Sequence, residues 1–144
     1  MSGTLHLVAR VGDCGLLFDA GRVDSVVEVG STVPAPGAAP AVIGLAAMRS
    51  RVATVIDVRP LFGGEPVVRD GRGGRAVATL VDGHLYAIAV DALEDVATFN
   101  LAPAAIANAH TGDWDFVTAV AEGAGETLLA VDIDRLVARA SGLG

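Results

Sequence analysis

Short runs of apolar or alternating residues recur along the chain, each ended by a turn signal. Residues 5–11 alternate and stop at Gly12-Asp13; residues 16–19 and 23–29 follow. Gly30-Ser31 and the proline-bearing segment 34–40 then break the chain. Residues 52–58 are a near-continuous apolar run rich in β-branched side chains, which suit a pleated sheet. Gly63-Gly64 and the stretch 69–74 read as the largest loop. Residues 75–81 lead into Asp82-Gly83, a pair that accepts the positive φ angles of a two-residue hairpin turn. Residues 85–90, 116–121 and 127–131 complete the set. Many short strands with frequent turns predict an all-β barrel or sandwich.

Helical periodicity is rare. Residues 133–140 put Ile133, Leu136, Val137 and Ala140 on one helical face, with Asp132 or Asp134 placed to cap the start. Residues 59–62 predict a short helical turn. A weak internal repeat connects the two parts of the chain. Residues 8–18 and 77–88 both read strand, polar turn, strand. Residues 23–29 match 90–96, and 55–61 match 130–136. Each part closes on an apolar-Asp-apolar segment, carried by Asp57 and Asp132. Two similar small barrels packed together follow from that order. The two aspartates, as repeat equivalents, are expected to cap the helical turns after them.

Composition narrows the function classes. The chain has 144 residues, 52% of them hydrophobic and 19% charged, which describes one domain with a real core. Only 4% are aromatic, so that core must be built from small branched side chains. The formal charge is −7 and the ten basic residues, all Arg, are scattered. A polyanion needs a concentrated basic surface, so nucleic acid and anionic membrane are poor partners. The longest apolar run, residues 41–48, is far short of the roughly 20 residues that cross a bilayer. Charges within the first 25 residues do not resemble a signal peptide. Cys14 is the only cysteine, which excludes an internal disulfide and fits a reducing compartment.

Catalytic chemistry finds little support. His6, His84 and His110 lack metal-ligand spacing, and each is expected at the surface or in a turn. Cys14 has no identifiable base, so it reads as an idle thiol. Residues 71–74 are glycine-rich but lack the lysine and the helix of a phosphate cradle. No catalytic residue, cofactor or metal ligand is assigned, and no convergent polar cluster is available to line an enzymatic barrel. A contact surface remains. Val33-Pro34 begins an extended segment leading to Val42 and Gly44; Glu28 precedes it and Arg49 follows it. A partly buried Glu28–Arg49 pair would fix two strands relative to each other.

These residues resemble a known family. Val26-Val27-Glu28-Val29, Val33-Pro34, Val42-Ile43-Gly44-Leu45, Met48-Arg49 and Val55-Ile56-Asp57-Val58-Arg59 look like the first half of a CheW-type coupling domain. Residues 75–80, 86–91, 93–96 and 128–136 are similar to its second half. The resemblance implies one domain over 1–144, all-β. Two five-stranded SH3-like barrels, approximate halves 15–70 and 75–140, would pack around a shared core and allow strand exchange. A short C-terminal helix would follow. It also implies a non-catalytic cytoplasmic adaptor, held at the inner face of the membrane in receptor assemblies without inserting into it. Its partners would be a chemoreceptor's cytoplasmic tip and the regulatory domain of a CheA-type histidine kinase. Val26, Glu28 and Arg49 fall on positions associated with receptor contact, and Val42 and Gly44 near the kinase-contact loop; Val33 and Pro34 lie between. The chain departs from the family at Ser50, usually Gly, and at Thr54, usually Pro. The alternative is a divergent module regulating a kinase or response regulator outside motility.

Overall fold

A computed structural model describes residues 3–35, 37–48, 50–62, 72–103, 115–123 and 125–142. Strands β1 (Thr4–Val11) and β2 (Cys14–Asp19) form a hairpin over Gly12-Asp13, with Gly12 at φ 59. After a 3-10 turn at Ala20–Arg22 come β3 (Ser25–Ser31), β4 (Val42–Met48) and β5 (Arg51–Asp57). A second 3-10 turn, Arg59–Phe62, matches the helical turn expected there. Strands β6 (Arg72–Val81) and β7 (His84–Ala89) form the second hairpin, whose Asp82 and Gly83 both have positive φ, 51 and 78. Strands β8 (Ala92–Phe99), β9 (Ala102–Pro103), β10 (Val117–Gly123) and β11 (Glu126–Val131) precede helix α1 (Ile133–Ala140).

The strands make two curled sheets. One has the order β3-β6-β7-β5-β4, and the other β8-β1-β2-β11-β10-β9. Pairing is antiparallel except between β5 and β7 and between β2 and β11. The two orders are equivalent: in each, a hairpin from one part of the chain is inserted between strands of the other part. The hairpin β1-β2 lies between β8 and β11, and β6-β7 lies between β3 and β5. The second sheet carries β9 as a sixth, two-residue strand beyond the five expected.

Period-two alternation divides the core three ways, because successive side chains on a strand point to opposite faces. Val29, Ala46, Ala53, Val55, Ala76, Ala78, Leu85 and Ala87 fill the inside of the five-stranded barrel. Val8, Leu17, Ala121, Leu128 and Ala130 fill the other. Their alternate neighbours, among them Leu7, Ala9, Leu16, Phe18, Ile56, Val77, Ile88 and Leu129, form the shared layer between the sheets. Strands buried on both faces explain the near-continuous apolar runs. Small residues inside the five-stranded barrel, five of them alanine, leave room for a tightly curled sheet.

Helix α1 buries Ile133, Leu136, Val137 and Ala140 in the shared layer. Its N-cap is Asp132, whose Oδ1 accepts from the Arg135 N–H at 3.1 Å. Asp57 Oδ1 accepts from the Arg59 N–H at 3.0 Å, so both repeated aspartates cap as expected. The structure corrects other expectations. Residues 72–74 extend β6 rather than the loop, because Ser31 and Val29 supply ladder partners for Arg72 and Gly74. The run 41–48 contributes β4. His6 is buried, with Nδ1 at 3.0 Å from the Thr4 carbonyl oxygen and its ring edge-on to Phe99.

Candidate partner-binding surface

The five-stranded barrel closes through the segment that follows β3. Val33 N–H donates to the Leu45 carbonyl and Leu45 N–H to the Val33 carbonyl, both at 2.8 Å. Gly44 makes this approach feasible: a Cβ built on it would lie 2.5 Å from the Val33 carbonyl oxygen. The ladder with β5 shifts register between Val42 and Gly44, which bends β4 toward the bridge. The other sheet is joined in the same way, by β9 pairing with β10.

The closure presents apolar side chains to solvent. Val33 is 64% exposed, Val52 57% and Leu45 36%, against a protein rule that large aliphatics are usually buried. Leu45 pairs with Thr54, and Ala47 with Val52, so these positions lie side by side on the outer faces of β4 and β5. Pro34 extends the exposed segment. Val42, half-buried, opens β4 and pairs with Ile56. Val26 and Glu28 project outward from β3, while Val27 and Val29 pack inward. Val33, Pro34 and Gly44 are thus gathered at one closure, with Val26 and Glu28 on the strand before it. Arg49 lies outside the described residues, as does His110.

Glu28 differs from its expected setting. It stands opposite Arg75 on β6, and Arg75 Nη2 donates to Glu28 Oε1 at 3.2 Å. The carboxylate side chain is 70% exposed rather than partly buried. An exposed bridge of this kind contributes about 0.2–1 kcal/mol, so it orients the two side chains more than it stabilises the barrel. Sequence reading also missed Leu45 and Val52, because exposure depends on which sheet face is covered. Cross-strand register, not local pattern, decides that.

Other charged groups tie elements together. Arg10 makes a two-pronged contact with Glu126, at 2.9 and 2.5 Å, and reaches Glu94 at 3.0 Å. Hydrogen bonding from Arg10 holds the Glu126 carboxyl below its ordinary range. Arg22 does the same to Asp134, bonding it at 2.8 Å and linking the first 3-10 turn to α1. The Cys14 thiol is pushed up, first by burial and then by the Asp13 charge, opposite to the shift an activated nucleophile needs. His84 is exposed and shares a 3.1 Å contact with the Thr54 hydroxyl. Among the described residues, no group of three or more His, Cys, Asp or Glu side chains could hold a metal ion. No helix among them is long and apolar enough to cross a membrane.

Two of three comparisons with known proteins find a match. The family model described as CheW-like domain matches residues 6–141. The crystal structure of the scaffolding protein TtCheW from Thermoanaerobacter tengcongensis superimposes with a TM-score of 0.79 at 20% identity. That match covers 93% of this chain and 92% of the other, and the two-barrel fold is shared. No curated protein matches the chain.

Proposed function

The chain belongs to the CheW-like domain family, and from that premise we propose that it is a non-catalytic adaptor coupling chemoreceptors to a CheA-type histidine kinase. The observation carrying this reading is the solvent-facing aliphatic surface at the Val33–Leu45 closure. Apolar side chains held on rigid strands meet a partner without a large ordering cost. Val26, Glu28 and Arg49 would face the receptor tip. Val33, Pro34, Val42 and Gly44 would face the kinase's regulatory domain. Scaffolding requires only that both faces bind at once, with no bond made or broken.

A titration against the isolated regulatory domain of the cognate kinase tests this. Val33→Glu places a charge where apolar contact is needed. We expect affinity to fall at least tenfold, the scale of about 1.4 kcal/mol, with the circular dichroism spectrum unchanged. Unaltered affinity in the folded variant would remove this surface from the kinase contact. Arg49→Glu should weaken co-sedimentation with receptors while kinase binding persists. A second reading draws on Thr54 and Ser50, where the family usually has Pro and Gly: a module serving a kinase or response regulator outside motility. Co-purification from native lysate separates the two, since only the first brings down receptors.

A further inference from the structure

The six-stranded sheet carries an open hollow of about 400 Å³, lined by a different sheet from the one that holds the Val33–Leu45 closure. Its floor is apolar: Val8 from β1, Ala97 and Phe99 from β8, and Leu128 from β11. Its rim is charged: Arg10, Glu94, Asp95 and Glu126. Arg10 is already engaged by Glu126 and Glu94. Asp95 receives only the neighbouring Val96 N–H, at 2.8 Å, and no cation among the described residues pairs with it. The rim is therefore net anionic beside an apolar floor.

The equivalent place in the other barrel is built differently. Counting back from the two-residue turns, Arg10 stands where the second hairpin has Leu80, and Gly15 where it has Leu85. A Cβ on Gly15 would lie 2.5 Å from Leu128 Cδ2. The small residue thus lets Leu128 lie against β2, below the Arg10–Glu126 contact.

We infer that this hollow docks an apolar side chain carried next to a Lys or Arg on a partner protein. Three features select that occupant. The hollow is open, whereas small-molecule sites enclose most of their ligand. The rim's excess of carboxylates favours a basic neighbour and repels an acidic one. A second copy of this chain, at −7, would bring the wrong charge. The surface is separate from the one proposed for the kinase and receptor, and does not depend on that assignment.

The test uses the full chain, isotope-labelled for NMR, and a six-residue peptide with a central Leu-Phe pair flanked by arginine and lysine. The expected result is shift changes concentrated at Val8, Ala97, Gly123 and Leu128. Raising salt from roughly 0.1 to 1 M, which shortens the screening length from about 10 to 3 Å, should weaken binding. Asp95→Asn, at an exposed position, should weaken it about two- to fivefold, the range of one surface charge contact. Ala97→Phe should fill the hollow and abolish the response. If Ala97→Phe does not fold, the Asp95→Asn titration decides alone. No shifts at these residues, or an equal response to a peptide with glutamates in place of the basic residues, would overturn the inference. So would concentration-dependent shifts without peptide, which would mean self-association, or hexylamine binding as tightly as the peptide, which would mean a small-molecule site.

Discussion

Gly44 shows how one missing side chain permits a closure. Any Cβ there would press on the Val33 carbonyl, a backbone atom that cannot rotate away. Gly44→Ala should therefore separate the two backbone hydrogen bonds between Val33 and Leu45. Two weakened bonds and an unsatisfied carbonyl predict a loss of about 1–3 kcal/mol, measurable by denaturant unfolding. Amide exchange at Leu45 should accelerate more than at Ile56, which is fully buried on β5 between β4 and β7. An unchanged midpoint and unchanged Leu45 protection would show that β4 can shift without loss. The need for glycine was not visible in the sequence. Gly44 sits inside an apolar run and no turn signal marks it; only the approach of Val33, eleven residues earlier, explains it. Glu28 is a similar case. The sequence suggested a partly buried pair with Arg49, whereas its exposure and its partner Arg75 are set by the register of β3 against β6.

At the scale of elements, local chemistry was largely readable. The face and span of α1, its Asp132 cap, the 3-10 turn after Asp57 and the Asp82-Gly83 hairpin all rest on contacts within a few residues. The tie between α1 and the first 3-10 turn was not readable, because Arg22 and Asp134 are far apart in the chain. That tie makes a pH prediction. Arg22 holds the Asp134 carboxyl below its ordinary value of 3.8. A carboxyl with a depressed folded-state value adds stability above 3.8 and loses it as pH falls through the folded value. Asp134→Asn should thus lower the thermal midpoint at neutral pH. Its side chain is 60% exposed, so the effect should stay within about 0.2–1 kcal/mol. The gap between variant and parent should begin to narrow as pH falls below 3.8 and close once the folded value is passed; a gap that never narrows on acidification would mean the bridge is not its source. Arg22 also donates to the Leu80 carbonyl at 3.2 Å, so β6 shares the same anchor.

Across the whole molecule, the repeat was legible but its pairing was not. A two-residue turn fixes which strand a hairpin partner is, and leaves open which third strand joins them. The structure sends β1-β2 to the sheet of β8, β10 and β11, and β6-β7 to that of β3, β4 and β5. Neither part of the chain can complete a sheet alone. Fragments 1–66 and 67–144, expressed separately, should lack dispersed amide spectra, and mixing them should restore the native one. A stable fold in either fragment would contradict this dependence. Every long-range pairing must also close a large loop before it stabilises anything, so folding should be slow for a chain of this size.

The same topology decides where a label can be attached. Both β1 and β11, near the two ends of the described chain, belong to the six-stranded sheet. Gly3 lies so close to Phe99 that a Cβ there would be 2.6 Å from its carbonyl oxygen. A fluorescent protein or affinity handle fused at the amino end would emerge beside the residue that borders the acidic hollow. A handle at the carboxyl end would instead emerge near the segment between Val33 and β4, since a Cβ on Gly142 would lie 3.6 Å from Ala39 Cβ. Amino-terminal fusions should then report kinase binding faithfully while blunting whatever the hollow receives, and carboxyl-terminal ones the reverse.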